Sequence, residues 1–204
     1  MTSEPIRLSP VQAARKHALW VLALFLLAGM ALVATPVGDS HEVVEWSGRI
    51  ALFACLIGRC WCSLYIGGRK ISELVRVGPY SIVRNPLYFF SFVGAFGVGA
   101  QTGSLIVAVL FVAVTWAVFR LVVRKEEQLL LSIYGADYAD YLTTTPRFLP
   151  NPRLWRGEEW VRVRPGLVVR TFVDGLWFLA AIPIAGLFEM LQDAGVLPVL
   201  LTLV

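Results

Sequence analysis

The sequence predicts an all-α, polytopic membrane protein with about five transmembrane helices. Of the 204 residues, 57% are hydrophobic, and the mean hydropathy of +0.70 exceeds that of ordinary soluble domains. The apolar residues are gathered in five runs, which approach or exceed the length that a helix needs to cross a bilayer. Most charged residues lie in the segments between these runs. Composition and pattern therefore agree on an integral, multi-pass membrane protein.

Each apolar run predicts one helix, and short polar connections separate them. A polar stretch of about 17 residues precedes the first run, which favours a retained anchor over a cleaved secretory signal. Only residues 101–104 separate runs three and four, so these two runs are expected to form a helical hairpin. An apolar tail at residues 196–204 is too short to cross a bilayer alone. The runs span Ala18–Ala34, Trp46–Ile66, Pro86–Ala100, Leu105–Val123 and Leu167–Leu191.

The distribution of lysine and arginine predicts the orientation of these helices. Basic residues occur in the N-terminal flank, in the 67–85 connector and in the 120–165 segment, whereas the 35–45 and 101–104 loops contain none. By the positive-inside rule the basic segments are cytoplasmic and the C-terminus is external. The net charge of +4 is explained by this pattern, so no nucleic-acid partner is expected.

The cysteines and histidines predict neither a disulfide framework nor a metal site. Cys55, Cys60 and Cys62 all lie in or near one apolar run, and the pair at 60 and 62 has no further ligands near it in sequence. His17 and His41 are interpreted as isolated residues in two polar flanks. We therefore expect buried, unpaired thiols and no bound metal ion.

The sequence around Asn85-Pro86 predicts a helix start at a membrane boundary. Asparagine is a favoured N-cap, and proline suits the first helical position. The backbone N–H groups of such a helix end attract an anion. Arg84, Tyr88 and the upstream Tyr80 lie close to it in sequence. An ordinary helix cap with interfacial tyrosines is the alternative interpretation.

Glu126-Glu127 forms a second polar cluster at the end of run four. Adjacent helix positions point about 100° apart, so only one of the two carboxylates can face run three. A solvated charge run is the alternative, and the shared face of Tyr134 and Tyr138 is compatible with simple packing. Arg59, near the end of run two, is compatible with three roles: it extends to the interface, pairs with Glu126 or binds an anion.

Together these residues resemble the isoprenylcysteine carboxyl methyltransferase and phospholipid methyltransferase superfamily. The resemblance covers about Arg59 to Pro150 and rests on LVRVGPYSIVRNPLY, the hairpin, EEQLLLSIYGADYADY and TPRFLP, in the family's order and spacing. It implies an integral membrane enzyme that uses S-adenosylmethionine at the cytoplasmic face. The acceptor would be a membrane lipid or a lipidated molecule, methylated on a carboxyl, phosphate or amine group. The chain would form one membrane domain, 1–204, with a methyltransferase-like core at about 46–150 and an extra C-terminal segment at about 167–204.

The resemblance also implies the site residues, position by position. Arg84 and Glu127 are motif positions that we assign to catalysis. Two departures from the family pattern are present: Asn85 replaces the usual histidine and cannot titrate, and Val122 replaces an arginine that contacts substrate in the carboxyl methyltransferases. The implied cofactor-binding residues are Ser72, Glu73, Leu74, Val75, Tyr80, Asn85, Pro86, Leu87, Tyr88 and Glu126.

Two other functions remain open at this level. The C-terminal region of membrane sterol reductases, which use NADPH, resembles the same segment, although those chains generally have several further N-terminal spans. A non-catalytic membrane protein, such as a transporter or an assembly factor, would have charged residues around a midplane cavity. Here the charges cluster at one face, which favours the methyltransferase.

Overall fold

The computed structural model describes residue 24 and residues 27–34, 39–67, 73–199 and 201–202. This part of the chain is overwhelmingly helical, which confirms the all-α fold class. Residues 27–32 are helical, and residues 33–34 pair in parallel with residues 201–202, so the apolar tail meets the end of run one. The remaining helices are α1 (Asp39–Ile66), α2 (Pro79–Ile82), α3 (Pro86–Ala100), α4 (Leu105–Tyr134), α5 (Ala136–Thr144), α6 (Pro165–Leu179) and α7 (Ala181–Asp193), with a 3₁₀ turn at Pro152–Leu154.

Three helical segments in the described part of the chain are long and apolar enough to cross a membrane. They are Ser40–Ile66, Leu105–Tyr134 and Pro165–Asp193, and the apolar helix α3 is shorter. The segments correspond to runs two, four and five, and α3 corresponds to run three. Run one is described only in part, at residues 24 and 27–34. The predicted polytopic membrane architecture is therefore confirmed where the chain is described.

Helix α4 is longer than the apolar run that predicts it. The run ends at Val123, whereas the helix continues to Tyr134 and stops at Gly135. The sequence between these points consists mostly of good helix formers and contains neither glycine nor proline, so nothing terminates the helix earlier. The extension places Glu126 and Glu127 on the same rigid helix as run four.

Close approach of α1 and α3 fixes the hairpin against the rest of the bundle. A Cβ atom built on Gly97 would lie 2.9 Å from the carbonyl oxygen of Gly48, and one built on Gly48 would lie 3.0 Å from the carbonyl oxygen of Gly97. Small residues that let helix backbones touch are typical of membrane helix packing. The core beside this contact includes Leu52 of α1 and Phe111 of α4.

Run five consists of two helices, because Pro183 interrupts the hydrogen bonding. Proline has no N–H to donate to the carbonyl of Leu179, and α6 ends there. Helix α6 packs on α1, where a Cβ atom on Gly175 would lie 2.5 Å from the side chain of Leu56. Ala185 of α7 joins the core with Leu52. The C-terminal segment is thus an integral part of the bundle.

Candidate cofactor site

The GPY motif forms a tight turn that requires glycine. Gly78 has φ +58°, and a Cβ atom there would lie 2.3 Å from the ring of Tyr65. Its N–H donates to the carbonyl of Arg156 at 2.7 Å. The hydroxyl of Ser81 donates to the Gly78 carbonyl at 2.7 Å and accepts from the Arg156 N–H at 3.0 Å. The turn is therefore tied to the segment that follows the 3₁₀ turn, and Tyr80, the last residue of the motif, is buried.

Tyr80 is buried with an unpaired hydroxyl. Its side chain packs with Cys62 and Val75, and its carbonyl accepts a hydrogen bond from the Tyr141 hydroxyl at 2.5 Å. The Tyr80 hydroxyl itself has no hydrogen-bond partner in the described part of the chain. Burial raises the pKa of Tyr80 well above its usual value, and among the charged neighbours Arg59 lowers this pKa while Glu126 raises it. A buried hydroxyl without a partner among the described residues is a polar position suited to a ligand.

Asn85 marks the start of α3 but does not cap it. The helix begins at Pro86, as predicted, with Asn85 at the N-cap position. The predicted capping by the Asn85 side chain is wrong, because its Nδ2 donates to the carbonyl of Arg147 at 3.2 Å. The amide therefore ties the connector to the TPRFLP segment and leaves the N-terminus of α3 uncapped by this side chain.

Arg59 extends from α1 to the first turns of α3. Its Nη1 donates to the Ser91 hydroxyl at 2.7 Å and lies 3.5 Å from the Leu87 carbonyl oxygen. The guanidinium carbon lies 5.6 Å from the centre of the Phe178 ring, within cation–π range. The buried Nε has no hydrogen-bond partner among the residues that the structure describes. Among the described residues no carboxylate forms an ion pair with Arg59, so it is a cation with a donor still available.

Glu126 meets the beginning of α3, as the predicted hairpin requires. The Tyr88 hydroxyl donates to its Oε2 at 3.1 Å. The Tyr88 ring also packs on Phe119 of α4, with ring centres 4.6 Å apart. Glu126 is half-buried. The end of α4 and the start of α3 thus form one polar site.

Glu127 is the buried centre of an ion-pair network. It is 6% exposed, and Arg147 contacts both of its oxygens, with Nε at 3.1 Å and Nη2 at 2.6 Å. Arg84 Nε lies 3.5 Å from Glu127 Oε1, and Arg84 Nη1 donates to the Leu142 carbonyl at 2.8 Å. These contacts fasten the connector, α4 and the TPRFLP segment together. Arg84 and Glu127 thus hold these segments in place, and the catalytic role predicted for them stays a prediction.

The described residues of the predicted set separate into three groups. Val75 and Leu87 pack in the cluster around Tyr80. Pro86, which precedes Leu87, is also buried. Glu73 is exposed and Leu74 is half-buried. Ser72 lies outside the described residues. The third group, described above, comprises Arg84, Asn85, Tyr88, Glu126 and Glu127.

Sequence reasoning missed several residues that shape this site. Tyr141 and Arg147 stand in the YADY and TPRFLP motifs, so the motifs were the available signal for them. Ser91, whose hydroxyl accepts a hydrogen bond from Arg59, lies outside these motifs, so no sequence motif pointed to it. The three cysteines are unpaired, as expected.

The interpretation of His41 as an isolated residue is wrong. Glu45 follows one helical turn later, and the fold brings Glu189 of α7 to the same place. The three side chains lie at the end of α1 that is remote from Arg59 and Glu126, and form a second polar cluster.

Comparison with known proteins agrees with the motifs. The Phospholipid methyltransferase family matches residues 43–137. The cobalt-zinc-cadmium resistance protein CzcN of Cupriavidus metallidurans is 37% identical over 156 residues, which cover 76% of this chain and 72% of that protein. The nickel-cobalt-cadmium resistance protein NccN of Alcaligenes xylosoxydans xylosoxydans is 36% identical over 180 residues, or 85% and 84% of the two chains.

A relative with a named activity matches the motif region. The protein-S-isoprenylcysteine O-methyltransferase of Schizosaccharomyces pombe is 34% identical over 77 residues, which cover 38% of this chain and 33% of that protein. No solved structure matches the chain. Family match, relatives and the assembled motifs lead to one conclusion: the chain belongs to the isoprenylcysteine carboxyl methyltransferase and phospholipid methyltransferase superfamily of integral membrane proteins.

Proposed function

We propose that this protein is an S-adenosylmethionine-dependent membrane methyltransferase whose acceptor is a lipid or a lipidated molecule. The observation that supports it most is the buried hydroxyl of Tyr80, which has no hydrogen-bond partner among the described residues and is influenced electrostatically by both Arg59 and Glu126. The GPY, NPLY and acidic-pair motifs of the family all converge on this position.

The residues present fit the cofactor. The amino-acid portion of S-adenosylmethionine has a carboxylate and an ammonium group, and its ribose has two hydroxyls. Arg59 offers a buried Nε donor without a partner, which suits the carboxylate. The Glu126 carboxylate suits the ammonium group or the ribose hydroxyls, and the Tyr80 hydroxyl adds a donor and acceptor between them.

The chain's own groups would position the reactants rather than react with them. When bound, the cofactor supplies a methyl group on a positively charged sulfur. The aromatic rings of Tyr80 and Tyr88 and the charge of Glu126 stabilise a cation at this place. Burial excludes water, and the Arg84–Glu127–Arg147 network holds the hairpin against the connector.

The acceptor is proposed to be anionic, a carboxylate or a phosphate. An amine acceptor would have to lose a proton first, which requires a general base. Asn85, at the family's histidine position, cannot titrate, and its amide is bonded to the Arg147 carbonyl. Glu127 is paired with two arginines. An acceptor that arrives as an anion needs no base, and it would enter sideways from the bilayer at the cytoplasmic face that the basic segments predict.

The proposal is tested by calorimetric titration of the detergent-purified protein with S-adenosylmethionine. We expect binding by the native chain and affinity at least tenfold weaker in Glu126→Gln, because a hydrogen bond to a charged group contributes about 1.5–3 kcal/mol. Asp137→Asn on α5 is the matched control, since it removes one exposed carboxylate outside the site and is expected to bind normally.

Other outcomes of the titration identify the rival functions. Binding of NADPH without S-adenosylmethionine would indicate a membrane reductase. Binding of neither molecule would indicate a non-catalytic membrane protein. Equal affinities in Glu126→Gln and Asp137→Asn would overturn the placement of the site. The acceptor is then identified by mass spectrometry of membrane lipids after incubation with isotopically labelled S-adenosylmethionine.

The names of two relatives favour a second, compatible candidate: a part in resistance to divalent heavy-metal ions. A host strain that lacks the gene would be grown with cadmium, zinc, cobalt or nickel, and rescued with the native chain or Glu126→Gln. Rescue by the native chain alone would indicate that the methyl transfer serves resistance. Equal growth of all strains would contradict this candidate.

A further inference from the structure

Three potential metal ligands from two distant parts of the chain meet at one end of the bundle. His41 and Glu45 lie one turn apart near the start of α1, and Glu189 lies near the end of α7. The nitrogen and oxygen atoms that they offer all lie within 4.8 Å of one another. Eighteen helical positions, or about 27 Å, separate His41 from Arg59 along α1, so this cluster is remote from the candidate cofactor site.

The turn between α3 and α4 fixes the orientation of the His41 imidazole. Gly103 has φ +70°, and a Cβ atom there would lie 1.9 Å from His41 Nδ1, so the ring packs directly on this glycine. The Nε2 atom faces the carboxylates, at 3.6 Å from Glu189 Oε1 and 3.9 Å from Glu45 Oε1. Both distances are longer than a hydrogen bond.

The imidazole is buried without adequate partners among the described residues. His41 is 7% exposed, and its Nδ1 has no hydrogen-bond partner. Because Nδ1 is turned to Gly103, Nε2 is the nitrogen placed to bind an ion, and both carboxylate oxygens that it faces lie beyond hydrogen-bond distance. An Nε2 that faces two carboxylate oxygens without bonding to either is suited to an ion between the three atoms.

The distances suit a small divalent ion. Zinc and similar ions lie about 2.0–2.2 Å from nitrogen and oxygen ligands, so the ligand atoms around them lie about 3.3–3.6 Å apart. The observed separations of 3.6 and 3.9 Å need little adjustment. One imidazole nitrogen with two carboxylate oxygens favours zinc, cobalt, nickel or cadmium over magnesium or calcium, which prefer oxygen alone.

Arg49 orients the Glu45 carboxylate for metal binding. Arg49 Nη2 contacts Glu45 Oε2 at 2.8 Å, which leaves Oε1 directed at His41. Such outer contacts orient metal ligands and fix their geometry. The two carboxylates outnumber the one guanidinium, so a negative charge remains for a cation. The Glu189 side chain is 47% exposed, which opens a path for an ion and leaves room for water as a further ligand.

We propose that His41, Glu45 and Glu189 bind one divalent transition-metal ion. The test uses the full-length protein in detergent, with its affinity tag removed and metal stripped by a chelator. Titration with Co²⁺, followed by absorption spectroscopy, and with Zn²⁺, followed by calorimetry, is expected to show one ion per chain. Both Glu189→Gln and His41→Asn are expected to weaken binding at least tenfold.

Glu42→Gln is the matched control, because it removes an exposed carboxylate next to His41 on the same helix, and it is expected to bind metal normally. Glu189 is half-exposed, so its substitution is tolerated even if His41→Asn disturbs the fold. Lack of stoichiometric binding by the native chain would overturn the proposal. Equal affinity in Glu189→Gln and Glu42→Gln, or displacement of Co²⁺ by an equal concentration of Mg²⁺, would overturn it too.

Discussion

At the scale of single residues, two neighbouring buried tyrosines differ in the hydrogen bonding of their hydroxyls. The Tyr141 hydroxyl donates to the Tyr80 carbonyl at 2.5 Å, whereas the Tyr80 hydroxyl has no partner. Burial raises the pKa of both groups, so both remain neutral donors at physiological pH. The Tyr141 hydroxyl therefore stabilises the fold, and the Tyr80 hydroxyl is available to a ligand.

This contrast predicts different effects of two conservative substitutions. Tyr141→Phe is expected to lower the free energy of unfolding by about 0.5–1.5 kcal/mol, because it removes a buried hydrogen bond. Tyr80→Phe is expected to leave the stability of the ligand-free protein unchanged or higher, and to weaken S-adenosylmethionine binding. Thermal unfolding in detergent and calorimetry measure the two quantities. Equal destabilisation by both substitutions would show that the Tyr80 hydroxyl has a partner in the ligand-free protein.

At the scale of elements, the Arg84–Glu127–Arg147 network joins three segments of the chain through polar contacts. The connector contributes Arg84, α4 contributes Glu127, and the segment after α5 contributes Arg147. Arg76 adds a contact between the connector and α5, since it bonds to the Asp137 carbonyl and to the Asp140 carboxylate at 3.1 Å. These polar contacts therefore help to fix the elements that form the candidate cofactor site.

The network predicts that Arg147 and Glu127 substitutions act alike. Arg147→Ala leaves the buried Glu127 with Arg84 alone, and we expect it to lower stability by about 1–3 kcal/mol, since Arg147 is one-third exposed. Arg153→Ala, at an exposed position, is the control. Thermal unfolding and cofactor affinity are measured together, and both are expected to fall in Arg147→Ala and in Glu127→Gln. Native stability of Glu127→Gln with complete loss of turnover would instead support a direct catalytic role.

At the scale of the whole molecule, the bundle has two polar ends with different chemistry. One end holds Arg59, Tyr80 and Glu126, and the other holds His41 and Glu189. Helix α1 and the α3–α4 hairpin run between them, and α6 and α7 pack against this frame. Such distant sites are expected to behave additively unless the helices between them have two arrangements.

Independence of the two ends is measurable with two substitutions and their combination. Glu189→Gln is expected to leave S-adenosylmethionine affinity within about twofold of the native value, and Glu126→Gln to leave metal affinity within the same range. The double variant is expected to show both defects without further loss. A change of more than tenfold at the remote site would contradict independence and would reveal coupling through the bundle.

The sequence by itself determined the features that depend on local pattern. Hydropathy predicted the apolar helices, and Asn85-Pro86 predicted the start of α3. The short 101–104 turn predicted the hairpin in which Glu126 contacts Tyr88. Each follows from residues close together in the chain, because helix periodicity and short loops leave few alternatives.

Only the tertiary structure decided the partners of long or polar side chains. It paired the Asn85 amide with the Arg147 carbonyl instead of the helix cap, and Arg59 with Ser91. It also brought Glu189 to His41, which lies 148 residues earlier in the chain. Such choices depend on which groups the packed helices bring within a few ångströms, and no sequence spacing encodes that distance. The helices were determined locally, and the chemistry at their two ends was determined by how they pack.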